Sequence, residues 1–167
     1  MIIILGIDPG SRVTGYGCVR FERDKPEFID AGVIRTSHDD FNQRLREIHQ
    51  GVADLVDRLQ PDTVAVEQVF VSRNASSALK LGAARAAAIC ATFVNAPTLA
   101  EYAPRAIKQA VTGTGSATKD QVQHMVRALL ALKQPLVSDA SDALAVAICH
   151  GNSQHLRNRL NRMAVRR

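Results

Sequence analysis

Three features of the 167-residue chain predict an α/β fold built on a five-stranded mixed sheet. Its first 36 residues hold three strand-like segments in succession, which points to a meander. The remainder alternates helical and strand patterns, as α/β domains do. Apolar content of 46% against 22% charged residues suits one folded domain with a single core rather than a disordered chain.

Residues 2–8 (IIILGID) are too uniformly apolar for a strand with a solvent face, so they read as a buried strand. Residues 14–21 (TGYGCVRF) and 27–36 (EFIDAGVIRT) follow, joined by ERDK and Pro26, and complete the antiparallel meander. Asp39 or Asp40 is placed to cap a helix over 41–60, where Leu45, Ile48, Val52, Leu55, Val56 and Leu59 share one face. Gln60-Pro61-Asp62 ends it. TVAVEQ (63–68) is a fourth strand, reached through a helical crossover and so expected parallel to the first. After the loop VFVSRN, residues 75–94 read as an alanine-rich helix with a small-residue face at Gly82, Ala83, Ala86 and Ala87. That face fits a close neighbour, either a sheet or a second subunit. PTLAEY (97–102) is a short fifth strand, and Pro104 opens a helix through Val111. TGTGSA breaks the chain. Thr118 and Gln121 then form a capping box for a helix over 119–132, and Ser138 is placed to cap a last helix over 139–150. The expected organisation is one domain over 1–150, followed by a loosely held basic tail over 151–167.

The net charge of +5 is concentrated in that tail, which holds five arginines and no acid. The body is polarised: residues 1–66 carry 8 basic and 11 acidic groups, residues 68–138 carry 8 basic and 2 acidic. Such a distribution fits a polyanion partner as well as it fits a solvated basic face. Cys18, Cys90 and Cys149 are widely spaced without a C-x-x-C, which suits reduced thiols in a cytosolic protein. No apolar run reaches membrane-spanning length, and the apolar start lacks the basic flank of a targeting segment.

Four acids stand where an acid is locally inconvenient. Asp8 ends the most apolar strand, Glu67 lies at the exit of the fourth, and Asp139 and Asp142 project from one side of the last helix. Singly, each reads equally as a turn residue, a solvent-facing edge residue or a helix-dipole partner. If strands one and four are parallel neighbours, however, Asp8 and Glu67 lie side by side, and a crossing helix brings the other two to them. Clustered carboxylates need a counter-charge, and an all-oxygen donor set suits Mg²⁺ or Mn²⁺. Two such ions can drive phosphodiester hydrolysis. The five histidines form no H-x-x-x-H pair, and TGTGSATK lacks P-loop spacing.

GIDPGSRVTGYG, VEQVF followed by NASSALKLG, EYAPRAIKQAVTGTGSATKDQVQHMV and DASDALAVAI together resemble the RuvC family of bacterial Holliday junction resolvases, over residues 2–150. The resemblance implies an RNase H-like fold with sheet order 3-2-1-4-5 and strand two antiparallel. It implies a cytoplasmic homodimer that nicks two strands of like polarity in a four-way DNA junction, leaving ligatable 5′-phosphate and 3′-hydroxyl ends. It further implies one or two Mg²⁺ ions per subunit, with Mn²⁺ able to substitute, and work beside the RuvA and RuvB branch-migration proteins. The family's catalytic acids match Asp8, Glu67, Asp139 and Asp142. Lys108 and Lys119 match basic residues near the scissile phosphate, and Phe70 matches an aromatic that stacks on bases at the junction centre. Arg73, Lys80 and Arg85 are candidates for DNA backbone contacts.

Three other readings compete. The actin, Hsp70 and sugar-kinase superfamily shares a GIDxG-like loop but needs about twice this length. An RNase H-fold nuclease on another nucleic acid would explain the acids, though not VEQVF or GTGSATKDQVQHMV. A junction-binding protein without catalysis would gain by losing acids from a DNA-facing surface, and all four are present.

Overall fold

The computed structural model of the chain describes residues 1–22, 25–68, 74–93 and 98–164, the last seven of these by backbone alone. Five strands form one sheet: β1 (Ile2–Asp8), β2 (Val13–Glu22), β3 (Lys25–Arg35), β4 (Thr63–Glu67) and β5 (Thr98–Tyr102). Their order is β3-β2-β1-β4-β5, as the resemblance implies. β2 runs antiparallel to both neighbours, whereas β4 is parallel to β1 and to β5. The carboxyl ends of β1, β4 and β5 therefore share one edge of the sheet.

Helices cover both faces. α1 (Phe41–Leu59) and α2 (Ala75–Cys90) enclose one core with Leu5, Ile7, Val64 and Val66. α3 (Pro104–Thr112), α4 (Lys119–Leu129) and α5 (Ser138–Ala164) enclose the other with Ile4, Val19, Phe21 and Ala65. Side chains alternate across a strand, so Ile4 assigns Gly6 and Asp8 to the α5 face, and Ala65 assigns Glu67 to it. Both strand-end acids thus face the helix that carries the other two.

That face is stripped of side chains near the acids. Gly6 pairs with Gly17, and Asp8 with Gly15. A Cβ on Gly6 would overlap the Ala143 carbonyl and stand 2.9 Å from the Ala147 nitrogen, and one on Gly15 would overlap the Asp139 carbonyl. One on Gly17 would meet Leu144 at 2.5 Å. The glycines let the α5 backbone lie on the sheet, while Phe21 fills the far end against Gly151.

Local signals act largely as expected. The Asp40 side chain accepts from the Gln43 amide at 2.9 Å and starts α1. The capping box is formed: Thr118 accepts from the Gln121 amide at 3.3 Å, and Gln121 accepts from the Thr118 amide at 2.8 Å. Several boundaries differ. α2 stops at Cys90 and α4 at Leu129, the latter because Ala131 turns left-handed (φ 51°) and the Leu132 amide bonds back to the Arg127 carbonyl. Ser138 lies inside α5 instead of capping it, and its hydroxyl accepts from Gln123 at 3.0 Å. The largest correction concerns the tail: α5 runs to Ala164, not to 150. Gly151 lies within it, where Phe21 leaves no room for a side chain, and 152–164 contains no proline to end the helix.

Gly6→Ala tests this packing. It should lower unfolding stability by about 1–3 kcal/mol or more, since the added methyl meets helix backbone that cannot rotate away. Urea denaturation checks it, and a wild-type midpoint would refute the close approach.

Candidate active site

The turn after β1 is clipped from within. Buried Thr14 donates its hydroxyl to the Gly10 carbonyl at 3.0 Å and accepts from the Gly10 amide at 3.3 Å. Pro9 and Gly10 therefore leave Asp8 on a fixed strand end. Glu67 ends β4 one residue beyond the Ile7–Val66 pair, on the same sheet edge. Asp139 and Asp142 occupy the first turns of α5, with the Asp139 backbone directly over Gly15.

Asp8 feels the charges of all three other acids. Asp8 is pushed up to about 7, first by burial and then by the negative charges of Glu67, Asp142 and Asp139. Lys119 opposes that shift. Glu67 is also raised, by burial and then by Asp142, against the pull of Lys119 and Lys108. Lys119 bonds Asp142 through Nζ–Oδ2 at 2.6 Å, and this contact raises its own pKa. A cleft of about 220 Å³ joins these groups, lined by Glu67, Lys108, Lys119 and Asp142 over an apolar floor of Pro104, Ile107, Val122 and Ala145.

As the side chains stand, no three His, Cys, Asp or Glu groups among the described residues are close enough together to hold a metal ion. The donor chemistry nevertheless fits one. Four carboxylates lie within reach of one another's charge beside the Lys119 ammonium, and the repulsion that adds to burial in raising Asp8 is what a hard divalent cation relieves.

The other sequence-derived residues divide. Lys108 and Lys119 line the cleft. Lys80 is exposed on α2 and does not line it. Arg85 is engaged elsewhere: Nη2 pairs with Glu101 Oε1 at 2.7 Å, and Nε donates to the Glu67 carbonyl at 3.4 Å. Phe70 and Arg73 lie outside the described residues. Sequence reasoning passed over Glu101, whose place beside Val66 in the β4–β5 ladder depends on strand register. It also passed over the glycine floor, although the spacing in GIDPGSRVTGYG was a usable signal.

A family model described as crossover junction endodeoxyribonuclease RuvC matches residues 4–150. A protein of that name from Methylococcus capsulatus is 53% identical over 166 residues, covering 99% of this chain and 100% of its own. One from Photobacterium profundum is 56% identical over 153 residues, covering 92% and 88%. Among solved structures, T. thermophilus RuvC in complex with a Holliday junction substrate superposes with a TM-score of 0.87 at 34% identity, covering 93% of this chain and 96% of that one. The yeast mitochondrial Holliday junction resolvase, at 13% identity and TM-score 0.68, covering 96% and 85%, shares the fold.

The acid cluster makes metal-free stability depend on pH. Asp8 has a folded pKa near 7, above its unfolded value near 3.8, so the folded state holds the extra proton between them. Unfolding free energy should therefore fall as pH rises from about 4 to 7, by roughly 4 kcal/mol if the full shift is expressed. Asp8→Asn should flatten that slope. Denaturation in chelator across this range measures it, and a flat wild-type profile would contradict the clustering.

Proposed function

The chain belongs to the RuvC family of crossover junction endodeoxyribonucleases, and from that premise we propose that it resolves Holliday junctions by paired, symmetric nicks in strands of like polarity. The carrying observation is that Asp8 feels the charges of Glu67, Asp139 and Asp142, next to a cleft lined by Glu67, Asp142, Lys108 and Lys119. The coverage of the chain by its relatives, and its likeness to a RuvC solved with junction DNA, support this reading.

As a member of this family the chain depends on divalent metal; Mg²⁺ is the ion proposed, with Mn²⁺ substituting and one or two ions per subunit. Asp8, Glu67, Asp139 and Asp142 would hold it, and when bound it supplies Lewis-acid charge to the scissile phosphate and favours water as nucleophile. The protein's own part is placement and charge. Asp8 and Glu67 stand at strand ends on one edge of the sheet, and Asp139 and Asp142 stand on a helix seated on the same sheet. Lys108 and Lys119 present cations to phosphate oxygens from α3 and α4, and the paired position of Lys119 keeps Asp142 oriented before substrate arrives. Phosphoryl transfer needs little more than this positioning and neutralisation.

The rest of the proposal extends to the assembly. Two subunits make two cuts, and the small-residue face of α2, where Gly82 has open space and Leu79 is exposed, fits a second copy. Phe70 would stack on bases at the crossover, with Arg73 and Lys80 on the DNA backbone. RuvA and RuvB would deliver the junction in the bacterial cytoplasm. No helix among the described residues is long and apolar enough to cross a membrane.

The test uses a synthetic four-way junction, a linear duplex and an RNA–DNA hybrid, each with Mg²⁺ or chelator. Paired nicks should appear on the junction alone and vanish in chelator. Asp8→Asn should keep junction binding while cleavage falls by on the order of 10³-fold or more. Cleavage of the hybrid without the junction would sink the proposal.

A further inference from the structure

Glu67 needs a fixed backbone more than the other acids do. Its strand is only five residues long, and pairing with β1 stops at Val66, one residue earlier. On the other side, Glu67 stands opposite Tyr102, and the last link is the Gln68 amide to the Tyr102 carbonyl at 2.9 Å. A carboxylate on such an end would fray with it.

Arg85 sits behind this end. Its side chain is 21% exposed, and its guanidinium reaches two groups from one plane: the Glu101 carboxylate at 2.7 Å and the carbonyl of Glu67 at 3.4 Å. Glu101 is the register partner of Val66, so both anchors belong to the last rungs of the β4–β5 ladder. Arg85 therefore holds Glu67 through its backbone carbonyl. We propose that Arg85, clamped by Glu101, is a positioning residue that fixes the Glu67 backbone and so the aim of the Glu67 carboxylate, rather than a DNA contact. The inference rests on the junction-cutting reading above.

The rigid fork is what suits arginine to the task. Lysine at 85 keeps a cation for Glu101 but offers one donor centre in place of a planar pair. Misplacing a catalytic group by about an ångström can cost up to about 10²-fold in rate.

Arg85→Lys in the full-length protein separates the roles. Junction affinity in chelator and its salt dependence should match wild type, while the single-turnover rate at saturating protein with Mg²⁺ falls by about tenfold or more. Weaker binding, with a salt slope shallower by about one, would make Arg85 a phosphate contact and overturn the inference. So would a wild-type rate. If Arg85→Lys proves too unstable to assay, Glu101→Gln carries the test. It removes the clamp, and the rate should fall without loss of affinity; unchanged cleavage would overturn the inference. Where both variants fold, the double variant should be no slower than Arg85→Lys alone, and additive losses would refute a shared role. Wild-type protein that leaves the junction uncut would count against the proposed function instead.

Discussion

The structure depends on how closely the α5 backbone approaches the sheet. Gly6, Gly15 and Gly17 present no side chain on the face where α5 crosses, and a methyl at Gly6 or Gly15 would collide with helix carbonyls. This is a constraint of space. Ordinary helix-on-sheet packing separates two backbones by a layer of side chains, which would hold Asp139 and Asp142 away from Asp8 and Glu67. Removing that layer at one end, and keeping it at the other with Ile4, Val19 and Phe21, allows a stable core and a site whose acids share one field.

That arrangement opposes stability locally. Partly buried Asp8 feels three like charges, and Lys119 offsets them only in part. The metal-free site therefore stores repulsion that a divalent cation relieves, and binding of the ion is favoured by the same term that destabilises the protein without it. The surrounding core holds the cluster together: Leu144, Val146 and Ile148 of α5 are fully buried, and β1 is paired on both sides.

Much of this was legible because the signals are local. Asp8 ending an apolar strand, the Asp40 cap, the Thr118–Gln121 box and the three-residue spacing of Asp139 and Asp142 are each written within a few residues. Periodicity and alternation gave the five strands, and the resemblance supplied their order. What sequence hid is set by packing at a distance. Arg85 reads as a surface cation until β4 and β5 are paired, when it turns out to face Glu101 and the Glu67 carbonyl. The helix expected to end at residue 150 runs on through Gly151, where Phe21 occupies the space a side chain would need.

The central claim, that a bare sheet face brings the α5 acids to the strand acids, is tested most directly by Mn²⁺ binding to Gly15→Ala without DNA, measured by calorimetry. A methyl there displaces the Asp139 backbone but changes no acid. The account predicts affinity weaker by about 10-fold or more in a protein that still folds. Wild-type affinity in a folded Gly15→Ala protein would contradict it.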